Sequence, residues 1–150
     1  MQAAAKQGAY LVTQYERLLA GLTDEHRGHE PAPGIKTAGW LLGHLVITGD
    51  FGRRLAGLPP IAPREWRVLF GPGTVPSRDS TSYPPMAELI ENFRAVYHDL
   101  ALRAPGASPD VLGTANPFEA ARPAFPTSGS FVAYLLTGHL AYHLGQLSAR

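Results

Sequence analysis

The sequence contains no cysteine, and this absence excludes several classes of protein. Without thiols there is no disulfide framework, no cysteine-ligated zinc finger and no cysteine nucleophile supplied by the chain itself. The chain also lacks an excess of charge, since 13 Lys and Arg residues are balanced by 12 Asp and Glu residues. The basic residues are scattered, so the sequence gives no electrostatic basis for binding nucleic acid or an anionic membrane.

Long apolar runs are also missing. No segment approaches the roughly 18 residues of a membrane span, and the first residues lack the apolar core of a signal peptide. We therefore expect a cytoplasmic protein without a membrane partner. The 150 residues correspond to a single domain, 1–150, which is long enough to bury roughly 70 % of the surface of its unfolded chain.

Four amphipathic segments are predicted as helices, separated by stretches in which proline and glycine concentrate. They cover about 3–22, 38–56, 86–100 and 128–150. Thr37 is a suitable N-cap for the second helix, Pro85 precedes the third, and Thr127 or Ser128 caps the fourth. The predicted fold is all-α: an up-down four-helix bundle with long connections between helices two and three and between helices three and four.

The fourth predicted helix carries His139 and His143, four residues apart. Side chains at this spacing project from one helix face about 5–6 Å apart, so both imidazoles can reach the same cation. Such pairs also arise by chance, and the alternative is two surface or core histidines. Because metal sites generally need three or four protein ligands, a third ligand decides between these interpretations.

His44 lies in the middle of the apolar stripe of the second predicted helix. A buried imidazole without hydrogen-bond partners costs about 1–3 kcal/mol. One explanation is a bond to a backbone carbonyl or to a tyrosine, such as Tyr10, Tyr15 or Tyr142. The other is that His44 binds the cation that the histidine pair of the fourth helix can reach. Three neutral imidazoles would hold a divalent metal and leave one to three coordination positions open.

Further residues are candidates for supporting this site. Asp50, Tyr142 and Gln146 are candidates to hydrogen-bond the ligand rings, because metal-bound histidines usually donate their second N–H to a nearby acceptor. Trp66 and Phe70 lie in the long 58–85 connection, where we expect them to cover a pocket. The alternative is a connection that packs on the surface without a role in ligand binding.

Three motifs of the chain resemble the DinB/YfiT superfamily of metal-binding four-helix bundles. They are Trp40-Leu-Leu-Gly-His44-Leu, Ser82-Tyr83-Pro84 and His139-Leu-Ala-Tyr-His143-Leu-Gly-Gln146-Leu-Ser. The first and last motifs, in this order and separation, are the most specific, and the likeness covers nearly the whole chain. The resemblance implies that His44, His139 and His143 form the metal triad, that zinc or nickel occupies it, and that the protein is a homodimer. Many relatives carry an acidic residue where this chain has Leu140, so the role of that carboxylate is not transferred.

The resemblance leaves three functions open. The first is a metal-dependent transferase that acts on a small-molecule substrate with a low-molecular-weight thiol, such as bacillithiol or mycothiol, which requires no protein cysteine. The second is a metal-dependent hydrolase with metal-bound water. It would need a general base such as Asp50, Asp79 or Glu119, since no carboxylate lies within one helical turn of the histidine pair. The third is a non-catalytic stress-response or binding module.

Overall fold

The computed structural model describes residues 1–149, and the regular secondary structure of this range is helical, with only an isolated bridge between Ala115 and Thr127. The helices are α1 (Gln2–Leu19), α2 (Ala38–Leu55), α3 (Trp66–Phe70), α4 (Met86–Arg103), α5 (Pro109–Gly113), α6 (Ser128–Tyr134) and α7 (Leu140–Ser148). A π turn, Leu135–His139, joins α6 and α7 into one continuous helix, which we call the last helix. The predicted all-α class is confirmed. Within the described range, no helix combines the length and apolarity needed to cross a membrane.

The helix boundaries follow local hydrogen-bonding signals. Thr37 caps α2 by accepting the N–H three residues further on, at 3.4 Å, and Thr127 caps α6 in the same way, at 3.1 Å. The first N–H of α4, at Met86, is bound by the carboxylate of Asp24 at 2.7 Å. These helix starts agree with the sequence-based prediction. The first helix ends at Leu19, earlier than the predicted residue 22.

Helices α2 and α4 run in the same direction. Gly39, near the start of α2, lies against Tyr83, which precedes α4, whereas Gly49 lies against Tyr97 in the second half of α4. Parallel neighbours cannot be joined by a tight turn, so the chain must return along about 27 Å of an 18-residue helix at 1.5 Å per residue. This return explains the long connection between α2 and α4.

The other two long helices run opposite to this pair. Tyr15, late in α1, packs on the Phe93 ring at 4.8 Å, early in α4, and the start of α1 lies beside Pro105 at the other end. In the last helix, Phe131 pairs with Phe51 at 6.2 Å, near the end of α2. The directions are therefore up, down, down, up. This corrects the up-down alternation expected from the sequence, because helical periodicity does not identify the neighbour of each helix.

The central helix is α2, in which every residue from 38 to 46 is buried. The short helix α3 packs on α2 through a contact between Phe70 and Gly43. A Cβ at Gly43 would lie 2.4 Å from the Phe70 ring, so only glycine allows this approach. The contact brings the end of α3 beside the next residue of α2, His44.

Candidate metal centre

His44 is buried on α2 and its ring orientation is determined by α3. Its Nδ1–H donates to the carbonyl oxygen of Phe70 at 3.0 Å. Because a carbonyl can only accept, the ring proton is on Nδ1 and the lone pair is on Nε2. Trp40 stacks on one face of the ring, with centroids 4.6 Å apart and planes 9° from parallel. The sequence allowed a backbone carbonyl as the partner of His44 but did not identify the residue, because a main-chain atom of a distant helix leaves no signal in the sequence. The four-residue spacing of Trp40 and His44 could have indicated the stacking.

His143 is buried on α7 and is held by a residue one turn further along the same helix. Its Nδ1–H donates to Oε1 of Gln146 at 2.6 Å, which again leaves the lone pair on Nε2. The Gln146 amide in turn donates to the hydroxyl of Tyr142 at 3.4 Å. Tyr142 is exposed, and its ring centroid lies 5.1 Å from that of His143. Tyr142 and Gln146 thus form a chain of hydrogen bonds from His143 to the surface.

His139 is the last residue of the π turn, and its ring meets that of His143. The two Nε2 atoms are 3.2 Å apart, and the buried Nδ1 of His139 has no hydrogen-bond partner. Since His143 carries its lone pair on Nε2, a proton or a cation must lie between these two nitrogens to prevent lone-pair repulsion. The rings of Tyr134, one turn earlier, and His139 pack edge to face with their centroids 5.8 Å apart, a contact that was not anticipated from the sequence.

The three imidazoles converge on one point. Ring centroids are 5.4 Å apart for His44 and His139, 5.3 Å for His44 and His143, and 4.6 Å for His139 and His143. One ring nitrogen of each lies within 4.8 Å of the other two. Nitrogens that bind one cation at about 2.0–2.1 Å lie at most about 4.2 Å apart, so a small approach of the rings completes a site. Within residues 1–149, no other group of three or more potential ligands of this kind is found.

Burial keeps all three rings neutral near neutral pH. Burial and, to a smaller extent, electrostatic repulsion from His143 and His44 together lower the pKa of His139 to about 3. Burial also lowers the pKa of His143 to about 4, against the opposing bond to Gln146. The pKa of His44 is lowered by burial, which outweighs the Phe70 carbonyl bond that raises it. Because neutral imidazole is the form that binds metals, the donor set fits a divalent cation.

The other residues singled out from the sequence have different roles. Asp50 accepts the backbone N–H groups of Ile61 and Ala62, at 2.8 and 3.3 Å, and so holds the start of the long connection. Trp66 and Phe70 are both buried. Phe70 contributes its carbonyl to the site, whereas its ring packs on the central helix.

Leu140, which directly follows His139, is buried. Its main-chain carbonyl accepts the hydroxyl of Tyr15 at 2.7 Å, which ties α1 to the last helix directly beside His139. The two loop carboxylates considered as general bases have local partners. Asp79 accepts the N–H of Thr81 at 2.9 Å, and Glu119 lies 4.0 Å from Arg122.

The fold and the site together define a class: an all-helical protein in which two antiparallel helices bring together three neutral imidazoles, two of them buried and one half-buried. The family model of the DinB superfamily matches residues 12–147, a span that contains all three histidines. The chain therefore belongs to the DinB superfamily, as the motifs around the histidines indicated. A comparison with curated proteins finds no match.

Proposed function

We propose that the protein binds one divalent metal through His44, His139 and His143 and transfers a low-molecular-weight thiol to an electrophilic small molecule. The observation that supports metal binding is the convergence of three neutral imidazoles, one ring nitrogen of each within 4.8 Å of the others. Three protein ligands leave coordination positions open, as in sites that bind a substrate rather than a structural ion. Zinc or nickel suits three nitrogen donors.

The protein groups around the site prepare the ligands. The Phe70 carbonyl and the Gln146 side chain hold His44 and His143 with the proton on Nδ1, so that each presents the lone pair of Nε2. A cation bound there would lower the pKa of a coordinating thiol. In the transfer, the thiol proton passes to solvent, the sulfur forms a bond to the electrophilic carbon, and that carbon releases its leaving group with the bonding electron pair. The chain needs no cysteine for this reaction and has none.

Thiol transfer is preferred to hydrolysis because no carboxylate joins the histidine cluster in the described part of the chain. Hydrolysis through activated water normally requires a base within hydrogen-bond reach. A thiol, by contrast, ionises readily once a cation lowers its pKa. A cytoplasmic location is part of the same proposal, since the cytosol keeps thiols reduced. The four-helix bundle as the fold type and the homodimer also belong to this proposal, because the superfamily resemblance implies both.

Metal analysis combined with thiol titration tests the proposal. We expect the purified protein to contain about one metal ion per chain and the His44→Ala variant to contain none. The control is His98→Ala, which changes an exposed histidine of α4 and should leave the metal content unchanged. Isothermal titration with bacillithiol and with mycothiol should show binding of at least one of them, and only by the metal-loaded protein.

Two results would contradict the proposal. A His44→Ala variant that retains its metal removes His44 from the site. If the protein binds metal but neither thiol, the proposed metal centre stands and transfer of these two thiols is excluded.

A further inference from the structure

A cavity of about 280 Å³ lies between the C-terminal half of α2 and the last helix, and two of its wall residues are close in sequence to proposed metal ligands. Thr48 in its wall donates its hydroxyl to the carbonyl of His44 at 2.9 Å. Leu135, also in the wall, is the first residue of the π turn that ends at His139. Residues three or four apart on a helix lie about 5–6 Å from one another, so the cavity is one helical turn from two of the proposed ligands. A small molecule in it would lie about one helical turn from the metal centre.

The wall of this cavity is mainly apolar. It is formed by the aliphatic side chains of Ile47 and Leu135 and by the rings of Phe51, Phe118 and Phe131. The volume corresponds to roughly ten water molecules at about 30 Å³ each, and therefore to a body of about ten non-hydrogen atoms. A sugar-based thiol fits such a wall poorly, because each buried hydroxyl without a partner costs about 1–3 kcal/mol. The molecule that occupies this cavity is therefore better assigned as the thiol acceptor than as the thiol itself.

Two arginines add positive charge to this apolar wall. Arg54 of α2 and Arg67 of α3 both line the cavity and are solvent-exposed, and neither has an ion-pair partner among residues 1–149. The guanidinium carbon of Arg54 lies 6.0 Å from the centre of the Phe51 ring. The one carboxylate in the wall, Asp50, is bound by two backbone N–H groups and lies 3.5 Å from Arg53. Both cavity arginines are thus free to bind an anion.

We propose that this cavity binds an amphipathic organic anion. Its apolar body, aromatic or branched, would fill the space between α2 and the last helix, and its carboxylate or phosphate would bind Arg54 and Arg67. Guanidinium groups are well suited to both anions because they form paired, charge-assisted hydrogen bonds. The role of this anion as thiol acceptor rests on the proposed function, whereas its binding does not.

Binding of 3-phenylpropanoate and of its neutral amide, 3-phenylpropanamide, tests the inference. The two probes have nearly the same size and differ in charge. Isothermal titration of the metal-loaded protein without thiol should show the acid binding at least about tenfold more tightly than the amide. The double variant Arg54→Gln with Arg67→Gln should reduce acid affinity about tenfold and leave amide affinity unchanged. Arg64→Gln is the matched control, since Arg64 is exposed in the same connection and does not line the cavity.

A second variant, Ile47→Phe, fills the cavity without changing its charge. We expect it to weaken both probes several-fold while the helical circular dichroism signal is retained. Equal affinities for acid and amide would overturn the inference, as would tight acid binding that survives loss of both arginines, since the metal would then hold the carboxylate. Failure of the thiol titration with arginine-dependent acid binding intact would reject the proposed function and leave this anion site standing.

Discussion

Acidification from pH 8 to pH 5.5 is expected to destabilise the metal-free protein through His139 and His143. Burial lowers the pKa values of these rings to about 3 and about 4, from the usual 6.5 that applies in the unfolded chain. Between pH 6.5 and pH 4 the unfolded chain therefore takes up protons that the folded protein does not, and lower pH favours unfolding. The contribution to stability is complete above pH 6.5 and is lost as the pH falls toward the folded pKa values.

The size of this destabilisation follows from the difference between the experimental pH and the pKa of histidine in the unfolded chain. At pH 5.5, one unit below the unfolded pKa of 6.5, each ring removes about 1.4 kcal/mol from the free energy of unfolding, and the two together remove about 3 kcal/mol. His44, whose pKa is also lowered by burial, acts in the same direction. If the free energy of unfolding falls by about 2 kcal/mol per molar urea, the midpoint of unfolding moves down by about 1.5 M.

Urea unfolding at the two pH values, followed by circular dichroism in the presence of a chelator, measures this effect. The double variant His139→Gln with His143→Gln should lose most of the pH-dependent decrease. His98→Gln, which changes an exposed histidine, should retain it. A wild-type midpoint that is equal at both pH values would refute the reasoning, and so would a decrease of the same size in the double variant.

Three substitutions test how the surroundings hold the site. Gln146→Leu removes the acceptor of the His143 ring, at 2.6 Å, and should weaken metal affinity about 10- to 100-fold in a chelator competition; unchanged affinity would deny Gln146 an orienting role. Gly43→Ala places a Cβ 2.4 Å from the Phe70 ring, and the forced shift should cost about 1–3 kcal/mol in urea unfolding; a neutral effect would contradict this packing. Tyr15→Phe removes the hydroxyl that binds the Leu140 carbonyl at 2.7 Å in addition to its intrahelical partner, and should cost about 0.5–1.5 kcal/mol by the same measurement, whereas an unaltered midpoint would show that the bond adds nothing.

The features of the fold that depend on local chemistry could be predicted from the sequence. Thr37 and Thr127 are caps because their side chains bind N–H groups three residues away, and Pro85 suits a helix start because the N–H that it lacks would be unpaired there in any case. The three histidines could be connected because they stand in apolar stripes of separate helices and in the motifs of the superfamily. Such signals lie within a few residues of the position they determine.

The features that depend on contacts between distant segments could not be predicted. The parallel arrangement of α2 and α4 results from packing between long helices, which periodicity does not encode. The Phe70 carbonyl that binds His44 is a main-chain atom, 26 residues away along the chain. Arg54 and Arg67 come from different helices, and only the docking of α3 on α2 brings them to one cavity.

The π turn between α6 and α7 contains one residue more than an ordinary helical turn requires. A deletion of a single residue at Thr137 or Gly138 would barely change composition or helical content. The turn would then close as an ordinary α turn, because a π turn accommodates its extra residue by widening the helix locally. The aromatic half of this helix and its imidazole half would still face the same partner. Natural variation in the chain should accordingly tolerate the loss of one residue within this turn far better than elsewhere in the last helix, where the same deletion rotates everything beyond it by about 100°.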